Sequence, residues 1–214
     1  RFDLLYPTNS LACFVTKWDD RCDEALYRLI CYINSTYSYR QIGYIGDPVD
    51  KISSRYWSDA SFAACPYSQR STSGIHHALA GENTLFPQAG QSKCQTAMST
   101  SSTESESVAG FTTIKNHIIP GADLYSKLLD NESIVTELRE DNQAFIHCLQ
   151  TGRNPTMKPL NRVHRVSIGY LHERLADGLF TVEYEKTDKM AADAYTKGFT
   201  DAAKWRSILP LIGI

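Results

Sequence analysis

No apolar run in this 214-residue chain approaches the roughly 18 residues that a membrane-spanning helix requires, so no membrane partner is expected. The opening, Arg1-Phe2-Asp3-Leu4-Leu5-Tyr6-Pro7, has neither an initiator Met nor the charged-then-apolar order of a signal peptide. The chain is therefore expected to be a piece of a longer polypeptide. Cysteine is thinly spread (Cys13, Cys22, Cys31, Cys65, Cys94, Cys148), with no C-x-x-C pair and no clustered histidine. That spread suggests neither a zinc module nor a disulfide framework, and it points to reduced thiols in an intracellular protein. Cys22 and Cys31 lie nine residues apart, which on a helix sets them on opposite faces, so they read as packing residues. There is no internal repeat. A strong charge of one sign is also lacking: the formal net charge is -2, so no global excess of Lys and Arg is available for displacing counterions from a nucleic acid.

What is present is an ordinary globular composition, 42% hydrophobic and 21% charged, long enough for one domain of about 150 residues plus an appendage. Charge is unevenly distributed. From Thr151 to Arg174 the cations Arg153, Lys158, Arg162, Arg165 and Arg174 face the single acid Glu173, a local excess of four, with His164 and His172 as added donors. Such a stretch can carry a phosphate backbone or be an ordinary solvated face.

Residues 19 to 34 open with Asp residues suited to an N-cap and place Leu26, Leu29, Ile30 and Ile33 at helical spacing, which predicts an amphipathic helix. Gly43, Gly46, Asp47 and Pro48 then form a turn-rich passage. We place a boundary near residue 50, between an N-terminal appendage (1–50) and the main domain (51–214). Strands are predicted at Ser54 to Phe62, Ser73 to Ala80, Thr84 to Lys93, Ile134 to Glu140 and Phe180 to Glu185. Helices are predicted in a stretch that Ser99 to Ser102 precedes and that reaches Leu129, with a break or kink at Pro120-Gly121, at Gln143 to Thr151 closed by Gly152, at Val163 to Leu175, and at Lys189 to Lys197 capped by Asp188. This order is that of an α/β fold with a mixed sheet.

Four acids stand out. Asp59 lies near the end of one predicted strand and Asp141 follows another, so both carboxylates fall on one rim of the sheet; Asp141 is equally suited to capping the next helix. Glu104 and Glu106, two residues apart, face different ways on a helix. Glu106 shares its face with the small residues Ala109, Gly110 and Thr113, which permit close approach to a sheet, and is the preferred site residue. Both glutamates also suit a helix first turn, where acids complement the dipole. Asp193 is flanked by alanines that allow close packing, although alone it reads as a surface acid. Four converging carboxylates repel one another unless hard divalent cations are bound between them. A pair of such ions suits phosphoryl chemistry, one lowering the pKa of an attacking water and the other, about 3.5–4 Å away, stabilising the leaving oxygen.

The motifs around these acids run in order as Tyr56-Trp57-Ser58-Asp59-Ala60-Ser61-Phe62-Ala63, Arg70-Ser71-Thr72-Ser73-Gly74, Ser92-Lys93-Cys94-Gln95, Ser101-Ser102-Thr103-Glu104-Ser105-Glu106, Asp141-Asn142-Gln143-Ala144 and Ala192-Asp193-Ala194-Tyr195-Thr196-Lys197. In order and spacing this string resembles the ribonuclease H domain of copia-type retrotransposon polyproteins, over residues 50 to about 200. Phe2-Asp3-Leu4, Trp18 and the following helix resemble the tail of the reverse transcriptase that precedes that domain. The resemblance implies a ribonuclease H-like fold, a five-stranded mixed sheet flanked by helices. It implies a catalytic quartet of Asp59, Glu106, Asp141 and Asp193 holding two Mg²⁺, with Mn²⁺ as the alternative. The implied substrate is an RNA/DNA hybrid, with Ser71, Ser73, Lys93, Gln95, Asn142, Arg162 and Arg165 as candidate contacts. The remainder of the reverse transcriptase is the implied partner, and the implied location is intracellular, in a cytoplasmic virus-like particle or the nucleus.

The chain departs from the family in two places. Asp59-Ala60-Ser61 stands where Asp-Ala-Asp is frequent, and Glu185-Lys186-Thr187-Asp188-Lys189 lacks the mobile histidine that cellular ribonucleases H carry before the last Asp. His164 and His172 fall too early for that role and read as ordinary helix-surface or packing histidines. Two other readings are a catalytically silent nucleic-acid-binding remnant and an integrase-like strand transferase; the motif order suits the latter less well, and no zinc module accompanies it.

Overall fold

The computed structural model describes residues 1–65, 68–129, 134–154, 157 and 160–214. At its centre is a five-stranded sheet formed by β1 (Ser53–Ser61), β2 (Thr72–Ala80), β3 (Leu85–Cys94), β4 (Val135–Glu140) and β5 (Thr181–Tyr184), in the order β3-β2-β1-β4-β5. β1, β2 and β3 form an antiparallel meander, while β4 runs parallel to β1 and β5 parallel to β4. This is the five-stranded mixed sheet flanked by helices expected from the sequence. Pro87, which has no amide to donate, sits on the edge strand β3 at a register shift opposite Ala78, where the missing donor is tolerated.

Successive residues of the central strand point to opposite faces, and each face has its own core. Tyr56 packs with Ile114, Ile118, Leu138, Phe145, Leu149, Leu160 and Leu171 under the helices α3 (Ser102–Thr113), α4 (Ile119–Leu128), α5 (Gln143–Thr151), α6 (Leu160–His164) and α7 (Ile168–Ala176). Trp57 packs on the other side with Ala78, Met190, Ala191, Tyr195, Ile208 and Ile212.

Local signals account for several element ends. Asp19 caps α2 (Asp20–Ser35), Asn142 caps α5, and Gly152, at φ +68°, ends α5 in the left-handed conformation that suits glycine. Gly110 lets α3 meet α5, since a β-carbon there would lie 2.3 Å from the Phe145 ring. The expected break before Gly121 takes the form of a π-helical turn, Ile114–Ile118, ahead of Pro120, whose ring cannot fit beside the carbonyl four residues back in a regular helix.

Two helices differ from expectation. The one predicted at Val163 to Leu175 is two pieces, α6 and α7, because Arg165 turns left-handed (φ +57°), Val166 is drawn into the core, and Ser167 caps a new start by accepting from the Tyr170 amide. The one predicted at Lys189 to Lys197 is not an α-helix. Thr187–Lys189 and Ala191–Tyr195 are 3-10 turns joined by an extended Met190. Met190 to Thr196 are all buried, so this alanine-rich stretch has no solvated face and follows the sheet surface instead of its helical propensity.

The N-terminal segment covers the Trp57 face of the sheet. Phe2 meets the rings of His76 and Tyr195 edge-on at 6.1 and 6.4 Å, and Leu5 of α1 (Leu5–Ala12) packs into the same core. Tyr44 forms an isolated bridge with Leu85, and the Ile42 amide donates to the Gly213 carbonyl. In α2, Cys22 is buried and Cys31 exposed, while Leu26, Tyr27, Ile30 and Ile33 meet solvent, Ile30 with 55% of its surface.

Candidate active site

Continuing the parallel register of β1 and β4, in which Trp57 lies opposite Arg139, sets Asp59 level with Asp141, the first residue after β4. Glu106 reaches the same rim from the second turn of α3. Carboxylate oxygens of Asp59, Glu106 and Asp141 all lie within 4.8 Å of one another. Three elements distant in sequence thus deliver three hard oxygen donors to one point. Glu104 turns away: its Oε2 accepts from the Thr100 amide at 2.7 Å and the Thr100 hydroxyl at 2.5 Å, and its Oε1 lies 3.3 Å from His164 Nε2, outside hydrogen-bond geometry. Glu104 therefore serves the helix start and the α6 end, as a capping acid does.

Asp193 reaches the cluster through a cation. Lys197 Nζ donates to Asp193 Oδ1 at 2.6 Å and lies 3.6 Å from Asp59 Oδ1. The Thr196 hydroxyl donates to the other oxygen of Asp59. The close approach depends on Gly74, which pairs with Asp59 across the sheet: a β-carbon there would lie 2.6 Å from Thr196 Cγ2 and 2.8 Å from the Ala192 carbonyl oxygen. Lys197 was not among the candidate residues, although its spacing of four from Asp193 is legible in the sequence.

Electrostatics follow from this crowding. Burial raises the Asp59 pKa, opposed by Lys197 and Thr196, and burial with the nearby Asp59 pushes Asp193 up to about 6. Glu106 is held well above the carboxylate range, first by burial and then by Glu140, Asp59 and Asp141. Burial alone would lower the Lys197 pKa, but Asp59 and Asp193 outweigh it and raise it. An acid-rich, dry rim with one lysine set into it has the donor chemistry of a Mg²⁺ or Mn²⁺ site. The buried Glu106 Oε2, which has no hydrogen-bond partner among the described residues, is the kind of atom such an ion satisfies.

The candidate hybrid contacts divide into two groups. Ser71 accepts from the Ala63 amide at 3.2 Å; Gln95 donates to Ser73 Oγ at 2.9 Å and to the Ser105 carbonyl at 3.0 Å. Ser71, Ser73 and Gln95 are buried, and the Ser73–Gln95 pair ties β2 and the end of β3 to α3. Asn142 is occupied in capping α5, accepting from the Phe145 amide at 3.0 Å. Lys93, Arg162 and Arg165 are exposed, as is Arg153, while Arg174 is half-buried and pairs with Asp177 at 3.1 Å; Lys158 lies outside the described residues. His172 Nδ1 donates to the Leu149 carbonyl at 2.8 Å, and the His164 side chain is buried against Glu104, so both histidines pack.

Among the described residues no helix is long and apolar enough to cross a membrane. No family model and no curated sequence matches the chain. Solved structures do. The ribonuclease H1 of the halophilic archaeon Halobacterium salinarum NRC-1 aligns with a TM-score of 0.46 at 16% identity, over 67% of this chain and 94% of that one. LC11 ribonuclease H1, solved in complex with an RNA/DNA hybrid, aligns with a TM-score of 0.42 at 16% identity, over 68% of this chain and 94% of that one. An N-terminal ribonuclease H domain from Mycobacterium tuberculosis, solved as a fusion with maltose-binding protein, aligns with a TM-score of 0.41 at 11% identity, over 75% and 96%. At these identities the likeness concerns the arrangement of elements alone.

Proposed function

We propose that this chain is a ribonuclease H, a metal-dependent endonuclease that hydrolyses the RNA strand of RNA/DNA hybrids. The observation that carries this reading is the meeting of Asp59, Glu106 and Asp141 within 4.8 Å at one rim of the sheet. The motif string around them supports the choice of ribonuclease H among metal-dependent phosphodiesterases. Asp59, Glu106 and Asp141 would hold two Mg²⁺, or Mn²⁺, with Asp193 as the fourth carboxylate. Bound there, the ions supply a water of lowered pKa and stabilisation of the leaving oxygen.

The remaining roles belong to the protein. Thr196 orients Asp59 through its hydroxyl, and Lys197 keeps Asp59 and Asp193 together as anions. Lys93, Arg162 and Arg165 offer exposed cations to the phosphate backbones, and contacts to 2'-hydroxyls would distinguish the RNA strand. Ser71, Ser73 and Gln95 support the surface from within. In the same reading the domain comes from a copia-type retrotransposon Pol polyprotein and acts during reverse transcription inside the cell. Residues 1–50 are then the tail of the reverse transcriptase, and the rest of that enzyme is the partner.

The test is incubation of the protein with labelled RNA/DNA hybrid and Mg²⁺, beside single-stranded RNA and duplex DNA. Cleavage of the hybrid's RNA strand, abolished by chelation and by Asp59→Asn or Asp141→Asn without unfolding, is the expected result. Folded protein that binds hybrid and leaves it intact would replace this reading with that of a silent binding remnant.

A further inference from the structure

Glu140 is an acid in a position that alternation reserves for the core. It closes β4, fully buried on the strand face that also carries Thr136 and Leu138. Its Oε1 accepts from the Asn142 amide at 3.2 Å, across the turn that carries Asp141. Its Oε2 has no hydrogen-bond partner among the described residues, and Glu106 Oε2 is buried in the same condition. Unpaired buried oxygens cost stability, and such costs persist in proteins where a site requires them.

We propose that Glu140 is a positioning residue of the candidate metal centre: it clamps the turn between β4 and α5 from inside the sheet and so fixes how Asp141 presents its oxygens. The proposal rests on the metal-centre reading above. Glu140 acts through Asp141 and not on the reacting atoms.

The test is calorimetric titration of Mn²⁺ into wild type, Glu140→Leu, Glu140→Gln and Asp59→Asn, with melting temperatures measured in chelator. Glu140→Leu removes the clamp and the unpaired oxygen together. It should weaken Mn²⁺ binding at least tenfold, the scale typical of residues that orient ligands, while the metal-free melting temperature stays at or above wild type. Glu140→Gln keeps an acceptor for the Asn142 amide and should bind Mn²⁺ within threefold of wild type. A merely structural glutamate would give the reverse for Leu, a lower melting temperature with unchanged affinity, and that result overturns the proposal. So does a tenfold loss in Glu140→Gln, which decides the matter if the Leu chain does not fold. Wild-type protein that binds no Mn²⁺ overturns the metal-centre reading and this inference with it. Binding abolished by Asp59→Asn yet indifferent to Glu140→Leu overturns the inference alone.

Discussion

Lys197 holds its ammonium between Asp59 and Asp193, two buried acids that burial would otherwise drive toward their neutral forms. Replacing it with Met should destabilise the metal-free protein by about 1–3 kcal/mol, less than for a fully buried pair because about a third of the Lys197 side chain is exposed. Millimolar Mg²⁺ should restore part of the loss, and scanning calorimetry with and without the metal measures both; an unchanged melting temperature in chelator would count against the role. His77 gives a pH signature. It stacks on Tyr56, faces Tyr125 and the Ser54 hydroxyl, and is held down to about 4 by burial and then by His117. The unfolded chain, titrating near the ordinary value of 6.5, then binds more protons than the folded one between the two values, so this histidine's contribution is lost as pH falls through that window. Relative to His77→Gln, wild type should lose about 2–3 kcal/mol between pH 7 and pH 4, read from urea denaturation at each pH; a constant difference would contradict the burial argument. Among the candidate site residues, Glu106, which meets Asp59 and Asp141, could be separated from Glu104 in the sequence by the small residues sharing its face. Glu140 could not, because its surroundings come from other elements, while Lys197 showed its spacing of four from Asp193 but not its approach to Asp59.

The elements whose ends are decided locally were legible: the β1–β3 meander from its apolar runs and turns, α2 and α5 from Asp19, Asn142 and Gly152. The two that were misjudged are decided from a distance. Val166 is pulled into the core between α6 and α7, and the Ala191–Tyr195 turn is pressed onto β2 and β3, where Ser92 donates to the Tyr195 carbonyl at 2.7 Å. Neither force is visible in a sequence window. The contact of that turn with β2 yields a sharp expectation. Gly74→Ala should cost on the order of 1–3 kcal/mol through overpacking against Ala192 and Thr196, and should loosen Asp59 from Thr196. Chemical denaturation gives the first quantity and Mn²⁺ titration the second; wild-type values in both would show that the turn can move aside freely.

At the scale of the whole molecule, net charge is slightly negative while Arg162 and Arg165 are exposed on either side of His164, which meets Glu104 in the first turn of α3, so the proposed hybrid binding should depend on a local patch. Arg162→Ala should weaken hybrid binding and reduce the slope of log affinity against log salt by about 1, measured by anisotropy over a salt series. An unchanged slope would remove Arg162 from the interface. The N-terminal segment is also part of the packed structure, and deleting residues 1–12 should cost several kcal/mol by uncovering His76, Tyr195 and the Gly90 surface of β3. Finally, the pairing of β1 with β4 has a kinetic side. Arg55 and Glu137, ion-paired across these two strands, are 82 residues apart in the chain. Closing so long a loop precedes any meeting of Asp59 with Asp141, so if the proposed metal centre holds, a refolding chain takes up divalent ions only after this long-range contact has formed. Added Mn²⁺ should then slow unfolding while leaving the refolding phases that precede this contact untouched, as stopped-flow fluorescence with and without the metal would read.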